Sequence, residues 1–224
     1  MSLKKVLDVA ESQLGVTEYP KGSNTVIYNT EYYGYPVAGP AYPWCVVYLW
    51  WVFNKAGEKR AFFNGGKTAS CSALMRLYEA EGRWFTDGDY RKGDIAIMTF
   101  SSSREIQHCG LIVERLSEGK YLTNEGNTSP GLEGSQNNGG SVAKKERGIA
   151  NILGVCRPQY EQEIEYVSDY EKHWAKEDIE WAKRIGLVKG YEDGSFKPNN
   201  TVTRAELVAI LHRYDIYRFG GSEK

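Results

Sequence analysis

A single thiol, Cys45, opens the uncharged run CVVYLWWVF at residues 45–53. Pro43 suits the start of a helix and Gly57 suits its end, so the pattern predicts a buried helix from about residue 44 to residue 56. The free N–H groups and the dipole of a helix N-terminus stabilise a thiolate, which makes a cysteine in the first turn a candidate nucleophile. The alternative is that Cys45 is only a small buried apolar residue, as many free cysteines are.

His108 is the only histidine in the first 158 residues, and it begins the apolar, strand-like segment HCGLIVERL. A histidine that faces a helix N-terminus can hold the thiol proton and later protonate a leaving amine. The next strand-like segment ends in TNEGNT, where Glu125 or Asn127 can orient the imidazole. This order is papain-like and predicts acyl transfer through Cys45, with its backbone N–H holding the oxyanion.

The elements that must position these residues fall into two groups along the chain. Helical periodicity covers the N-terminal part, at residues 3–14, 44–56 and 67–82. Strand-like segments follow at residues 94–100, 108–116, 119–126 and 151–158. The pattern predicts loops at residues 16–43 and 126–141. Helices followed by strands predict an α+β fold in which N-terminal helices pack on an antiparallel sheet.

Composition excludes several classes of function. The formal net charge of −1 gives no indication of binding to nucleic acid or to an anionic membrane, and no apolar segment is long enough to span a membrane. The four cysteines are far apart and form no C-x-x-C pair, which argues against a zinc site or a disulfide framework. We therefore expect Cys71 and Cys109 to be core residues.

Five motifs occur in order in the first part of the chain: AYPWCVVYLWWVF, KTASC, HCGLIVE, TNEGNTS and ANILGVCRP. Together they resemble the CHAP family, the cysteine- and histidine-dependent amidohydrolases or peptidases of phage endolysins and bacterial autolysins. The resemblance covers residues 1–158 and implies a papain-like fold that cleaves amide bonds of peptidoglycan. It implies Cys45 as nucleophile, His108 as base and Glu125 as the orienting residue, with Asn127 as the reserve candidate.

The resemblance implies no cofactor in this chain. Some CHAP members bind calcium in the loop before the cysteine, through closely spaced aspartates. Here Glu31 is the only acidic residue from 22 to 44, so we expect no metal in that loop.

The C-terminal part carries GYEDGSFKP and TRAE, and resembles one S-layer homology (SLH) repeat with helices at residues 173–186 and 201–214. Such repeats hold proteins on secondary polymers of Gram-positive cell walls. By this match Arg204 pairs with an acidic sugar substituent, and Trp174 and Thr203 line the groove; the helical pattern instead places Trp174 inward, in the core.

The predicted domain order is a CHAP domain at 1–158, a linker at 159–168, an SLH module at 169–215 and a tail at 216–224. The family usually carries three SLH repeats and this sequence has one, so we expect copies from several chains to associate as a homo-oligomer.

The N-terminal segment MSLKKVLDVAESQLG is amphipathic and lacks the apolar core of a secretory signal. This predicts synthesis in the cytoplasm, with reduced thiols, and release to the wall through a phage holin. The leading hypothesis is therefore a bacteriophage or prophage endolysin of a Gram-positive host. The alternatives are a host autolysin and a non-catalytic wall-attachment protein with a degenerate CHAP domain.

Overall fold

The computed structural model describes residues 3–131, 134–160, 169–191 and 195–220 of the 224-residue chain. The chain divides into two compact units, residues 1–162 and residues 163–224. Among the described residues, no helix is both long enough and apolar enough to cross a membrane.

Five helices form the first part of the N-terminal unit: Leu3–Ser12 (α1), Ile27–Tyr33 (α2), Cys45–Lys55 (α3), Lys59–Phe63 (α4) and Cys71–Ala80 (α5). The central helix α3 begins and ends within one residue of its predicted bounds, and nearly all of its side chains are buried. Gly57, just beyond its end, has a φ of 82°, a conformation that glycine adopts without steric cost.

A six-stranded antiparallel sheet follows, in the order β1–β6–β2–β3–β4–β5. Its strands are Trp84–Phe85 (β1), Ile95–Met98 (β2), His108–Ser117 (β3), Lys120–Thr128 (β4), Ser141–Gly148 (β5) and Ile152–Cys156 (β6). The predicted α+β class, with N-terminal helices packed on an antiparallel sheet, is confirmed.

Two parts of the sequence prediction were wrong. Residues 16–43 contain the helix α2, which begins without a side-chain cap and is held by the buried side chains of Tyr28 and Tyr32. The strands β1 and β5 were not predicted, and the predicted loop at 126–141 is shorter because β4 continues to Thr128. Tyr160, inside the predicted linker, stacks on Phe53 in the first unit, and linker residues 161–168 lie outside the described residues.

Helix α3 packs on the sheet through polar as well as apolar contacts. The hydroxyl of Tyr48 donates to Asn124 Oδ1 on β4 at 2.6 Å, and the amide of Asn124 donates to the Ala10 carbonyl of α1 at 2.9 Å. Because all three residues are fully buried, these bonds fix the position of α3 relative to β4.

Gly126 allows this close approach, since a Cβ atom there would lie 2.5 Å from Tyr48 Cβ. We expect Gly126→Ala to lower the free energy of unfolding by about 1–3 kcal/mol, because the backbone of α3 or β4 must shift. Chemical denaturation measures the difference. Gly148→Ala is the matched control, because no atom lies within 4 Å of the added Cβ there. Equal stabilities of the two variants would contradict this account of the packing.

The C-terminal unit contains two helices, Lys176–Arg184 (α6) and Arg204–Phe219 (α7). Among its described residues, the buried apolar side chains are Tyr170, Ile179 and Leu187. The prediction that Trp174 faces inward was wrong, because its side chain is 88% exposed. None of the residues of α7 is buried, and its apolar side chains Leu207, Val208, Leu211 and Tyr217 are exposed.

Candidate active site

Cys45 is the first residue of α3, as the sequence predicted. No side-chain hydrogen bond from Trp44 caps this helix, so its first-turn N–H groups can stabilise negative charge at the thiol. The residue is buried and is not disulfide-bonded. Its setting therefore favours a thiolate that is shielded from bulk solvent.

His108 and Glu125 contact each other directly between strands β3 and β4. His108 Nε2 lies 3.0 Å from Glu125 Oε2, and both side chains are completely buried. Glu125 reaches the imidazole across Gly110, where a Cβ atom would lie 2.6 Å from Glu125 Cγ. Gly110 is thus required for this contact, because any larger residue would displace the carboxylate.

Arg147 on β5 neutralises the buried carboxylate of Glu125. Its Nε donates to Glu125 Oε1 at 2.7 Å and its Nη2 donates to Oε2 at 2.6 Å, a bidentate pair. Thr123 Oγ1 also donates to Oε1, at 2.5 Å. Burial alone would raise the pKa of Glu125, but the bonds from Arg147 and His108 lower it to about 2, so the carboxylate is charged at neutral pH.

The thiol and the imidazole favour a charged pair. The neighbouring thiols of Cys109 and Cys71, and then the imidazolium of His108, hold the pKa of Cys45 well below its usual range. Burial opposes the charge on His108, but Cys45 and Glu125 raise the pKa of this histidine to about 9. Among the described residues, no group hydrogen-bonds to His108 Nδ1, so this nitrogen is available for proton transfer.

Asn127 does not contact the imidazole in the way Glu125 does. Its amide donates to Asn138 Oδ1 at 3.2 Å, and its backbone carbonyl accepts a bond from Gly139. Its φ of 57° lies in the left-handed region, at the point where the register of β4 against β5 shifts. The geometry thus gives Asn127 a place in the loop beside the site.

Two further thiols lie next to the candidate nucleophile. The Sγ atoms of Cys45, Cys71 and Cys109 all lie within 4.8 Å of one another, and those of Cys45 and Cys71 are 3.9 Å apart. Cys109 is fully buried, as expected, whereas Cys71 at the first position of α5 is partly exposed.

The hydrolysis rate should depend on pH through the protonated fraction of His108. The pKa of His108 is raised from its ordinary value of 6.5 to about 9, so the stabilising charged form is fully present below 6.5 and is lost as pH rises through 9. We expect the hydrolysis rate to fall through an apparent pKa near 9, because the neutral imidazole has no proton to donate to the leaving amine.

Glu125→Gln should move this alkaline limb to lower pH, since the carboxylate that raises the pKa of His108 is removed. Asn127→Gly, which keeps the left-handed backbone, is the control and should leave the limb in place. A limb that moves in Asn127→Gly and not in Glu125→Gln would assign the orienting role to Asn127.

The C-terminal unit contains a pocket of about 310 Å³, bordered by residues 188–191, 196–198 and 200–202 and by α7. Lys189, Lys197 and Arg213 contribute positive charge to its lining, and Glu206 contributes one negative charge. The predicted binding residues lie outside this lining. Thr203 caps α7 through a reciprocal bond with Glu206, Arg204 is exposed at the first position of α7, and Trp174 is exposed.

Comparison with known families accounts for both units. Residues 37–127 match the CHAP domain, and residues 168–208 match the S-layer homology domain. The chain thus contains a CHAP domain region and a separate SLH domain region. The CHAP match begins before Cys45 and ends at Asn127, so it includes all four candidate residues of the N-terminal unit.

Three curated relatives are similar to parts of the chain. Cell surface glycoprotein 1 and the Cellulosome-anchoring protein of Acetivibrio thermocellus are 49% identical over 41 residues and 43% identical over 47 residues, which are 18% and 21% of this chain. Endo-1,4-beta-xylanase A of Thermoanaerobacterium saccharolyticum is 26% identical over 132 residues, or 51% of the chain. The matches span only 2%, 10% and 11% of these relatives.

Among solved structures, the chain is similar to Ly7917 and to the wild-type endolysin LysIME-EF1. The identities are 14% and 15%, and the TM-score is 0.41 in both cases. The likeness covers 70% and 72% of this chain and 62% and 66% of the other two.

Sequence reasoning missed the groups that support the CHAP site. Arg147, Thr123 and Gly110 complete the surroundings of Glu125, and none of them is marked by a motif that the sequence analysis used. Gly110, two residues after His108, could have indicated this site. A glycine in a strand has no side chain and leaves room for another side chain, here Glu125, to approach the candidate base.

Proposed function

We propose that the CHAP domain is a cysteine-dependent peptidoglycan hydrolase that cleaves amide bonds, as an N-acetylmuramoyl-L-alanine amidase or an endopeptidase. The observation that carries the proposal is a helix N-terminal thiol with a lowered pKa, next to an imidazole that a buried carboxylate orients. The intact set weighs against the alternative of a degenerate, non-catalytic domain.

The thiolate of Cys45 attacks the amide carbonyl, and the backbone N–H of Cys45 stabilises the oxyanion. His108 Nδ1–H donates its proton to the leaving amine, and the tetrahedral intermediate collapses to a thioester. The neutral Nδ1 then removes a proton from water, which attacks the thioester and releases the carboxylic acid. Throughout the cycle Glu125 holds Nε2–H, which keeps Nδ1 directed at the reacting groups.

Mass spectrometry of digested peptidoglycan tests the reaction and names the bond. We expect wild-type protein to release new free amino groups: bare glycan strands indicate an amidase, and glycan with peptide stubs indicates an endopeptidase. The Cys45→Ala variant is the control, and the fragments that it releases are subtracted from those of the wild type. New sugar reducing ends without new amino groups, or walls of several Gram-positive species left uncut, would overturn the proposal.

We propose that the SLH domain holds the enzyme on a secondary polymer of a Gram-positive wall. The cationic pocket supports this role, because lysine and arginine side chains suit acidic sugar substituents. Arg204 and the exposed ring of Trp174 offer further contacts for such a polymer, a guanidinium fork and a flat apolar surface.

Arg204→Ala is expected to weaken co-sedimentation with purified walls about 10-fold, since a charge-assisted hydrogen bond contributes about 1.5–3 kcal/mol. Arg218→Ala removes the same charge from the last turn of the same helix and should bind as wild type does. Equal losses in the two variants would mean that only overall charge matters.

We further propose that SLH domains of several chains associate through α7. Its exposed apolar side chains support this, because soluble domains rarely leave such a face uncovered. Light scattering should give a mass that is a multiple of the chain mass, and Leu211→Glu should lower it. A single-chain mass at all working concentrations would overturn this assembly.

A further inference from the structure

The three thiols of the CHAP domain form a compact set of soft ligands. Cys45 and Cys71 are the first residues of α3 and α5, and Cys109 is the second residue of β3. The N-terminus of α3 favours a thiolate at Cys45, and thiolates are the form of cysteine that binds metal ions, so binding must also displace the protons of Cys71 and Cys109. The proposed hydrolysis uses only Cys45 as a nucleophile; Cys71 and Cys109 form no bond to the substrate.

The spacing of the sulfur atoms fits a metal ion. Zinc–sulfur bonds of about 2.3 Å in tetrahedral geometry place two sulfur atoms about 3.8 Å apart. The Sγ atoms of Cys45 and Cys71 are 3.9 Å apart, and all three lie within 4.8 Å of one another. Side-chain movements of about 1 Å or less therefore complete a three-thiolate site.

Protein atoms supply three of the four ligands that zinc prefers. The imidazole of His108 interacts with Cys45 but is not among the ligand atoms that lie within 4.8 Å of one another. The partial exposure of Cys71 gives an ion a route from solvent. Three sulfur ligands with a water molecule in the fourth position would complete a tetrahedral site.

We propose that Cys45, Cys71 and Cys109 bind a zinc ion through their three sulfur atoms, and that this ion reversibly inhibits the hydrolase. Binding forms three zinc–sulfur bonds, and the protons of the thiols pass to solvent, so no oxidant or reductant takes part. The inhibitory half of the proposal rests on the proposed function, because the ion occupies the nucleophile.

Cadmium titration of the full chain tests the site without reference to activity. We expect one Cd²⁺ per chain and the ultraviolet charge-transfer absorbance of three thiolate bonds. Cys71→Ser should weaken binding about 100-fold and lose a third of the absorbance. Cys156→Ser, which removes the cysteine outside the cluster, should titrate as wild type does. Absorbance from fewer than three thiolates in the wild type would overturn the site, whether or not a variant folds.

Zinc inhibition is then measured as a fraction of the metal-free rate of each protein. We expect equimolar Zn²⁺ to stop wild-type hydrolysis, EDTA to restore it, and Cys71→Ser to need about 100-fold more zinc. Cadmium binding by a chain that never cuts peptidoglycan would support the site and refute the proposed function. A chain that cuts peptidoglycan but shows no cadmium–thiolate absorbance would refute the metal site and support the proposed function.

Discussion

Replacing Cys45 with alanine is expected to reduce peptidoglycan hydrolysis by roughly 10⁴- to 10⁶-fold, because the variant has no atom to form the thioester. The fold should survive, since only one sulfur atom is removed and the free energy of unfolding should change by less than about 2 kcal/mol. Release of soluble wall fragments measures the rate, and circular dichroism on heating measures stability.

Two further variants make this test specific. Cys45→Ser keeps the shape of the side chain but should be nearly as inactive, because a hydroxyl group ionises far less readily than a thiol beside His108. Cys156→Ala removes a buried sulfur atom from the core and should remain active. Hydrolysis at the wild-type rate by Cys45→Ala would exclude this thiol as the nucleophile.

Replacing Arg147 with methionine is expected to lower the free energy of unfolding by about 3–5 kcal/mol at neutral pH. The variant keeps the volume of the side chain but leaves the buried charge of Glu125 without its bidentate partner. Urea denaturation measures the loss. Lys144→Met is the control on the same strand, because its ion pair with Glu11 is exposed and should contribute at most about 1 kcal/mol.

The loss caused by Arg147→Met should also depend on pH. The pKa of Glu125 is lowered from 4.5 to about 2 in the folded protein, so its contribution to stability is present above 4.5 and disappears as pH falls towards 2. The difference between wild type and variant should therefore shrink over this range. A difference that stays constant from pH 7 to pH 3 would show that lost packing, and not lost charge, explains the effect.

The sequence predicted the helix of Cys45 well because proline, glycine and a continuous apolar run mark both its ends. His108 was noticed because it begins an apolar strand, and Glu125 because it is a polar residue near the end of the next strand. Strand β5, SVAKKERG, was missed because it is rich in charge; its buried Lys145 and Arg147 are paired by contacts that no local pattern reveals. The three-thiol cluster was missed for the same reason, since its members come from three separate elements.

The C-terminal unit shows a different limit of sequence reasoning. The capping box of Thr203 and Glu206 is present, and it lies within four adjacent residues, TRAE. The cationic pocket was not predicted, because Arg213 on α7 is far along the chain from Lys189 and Lys197. Phage origin and release through a holin stay predictions, because they concern events outside the fold.

The position of Arg147 on an edge strand has a consequence for the newly made chain. A ribosome synthesises Cys45, His108 and Glu125 before it reaches Arg147, and β5 joins the sheet only after that residue has emerged. Until then the carboxylate of Glu125 lacks its buried countercharge. Because burying an unpaired charge is costly, the carboxylate stays hydrated, away from the imidazole. If the proposed mechanism holds, the site of Cys45, His108 and Glu125 is therefore completed only after Arg147 has been translated.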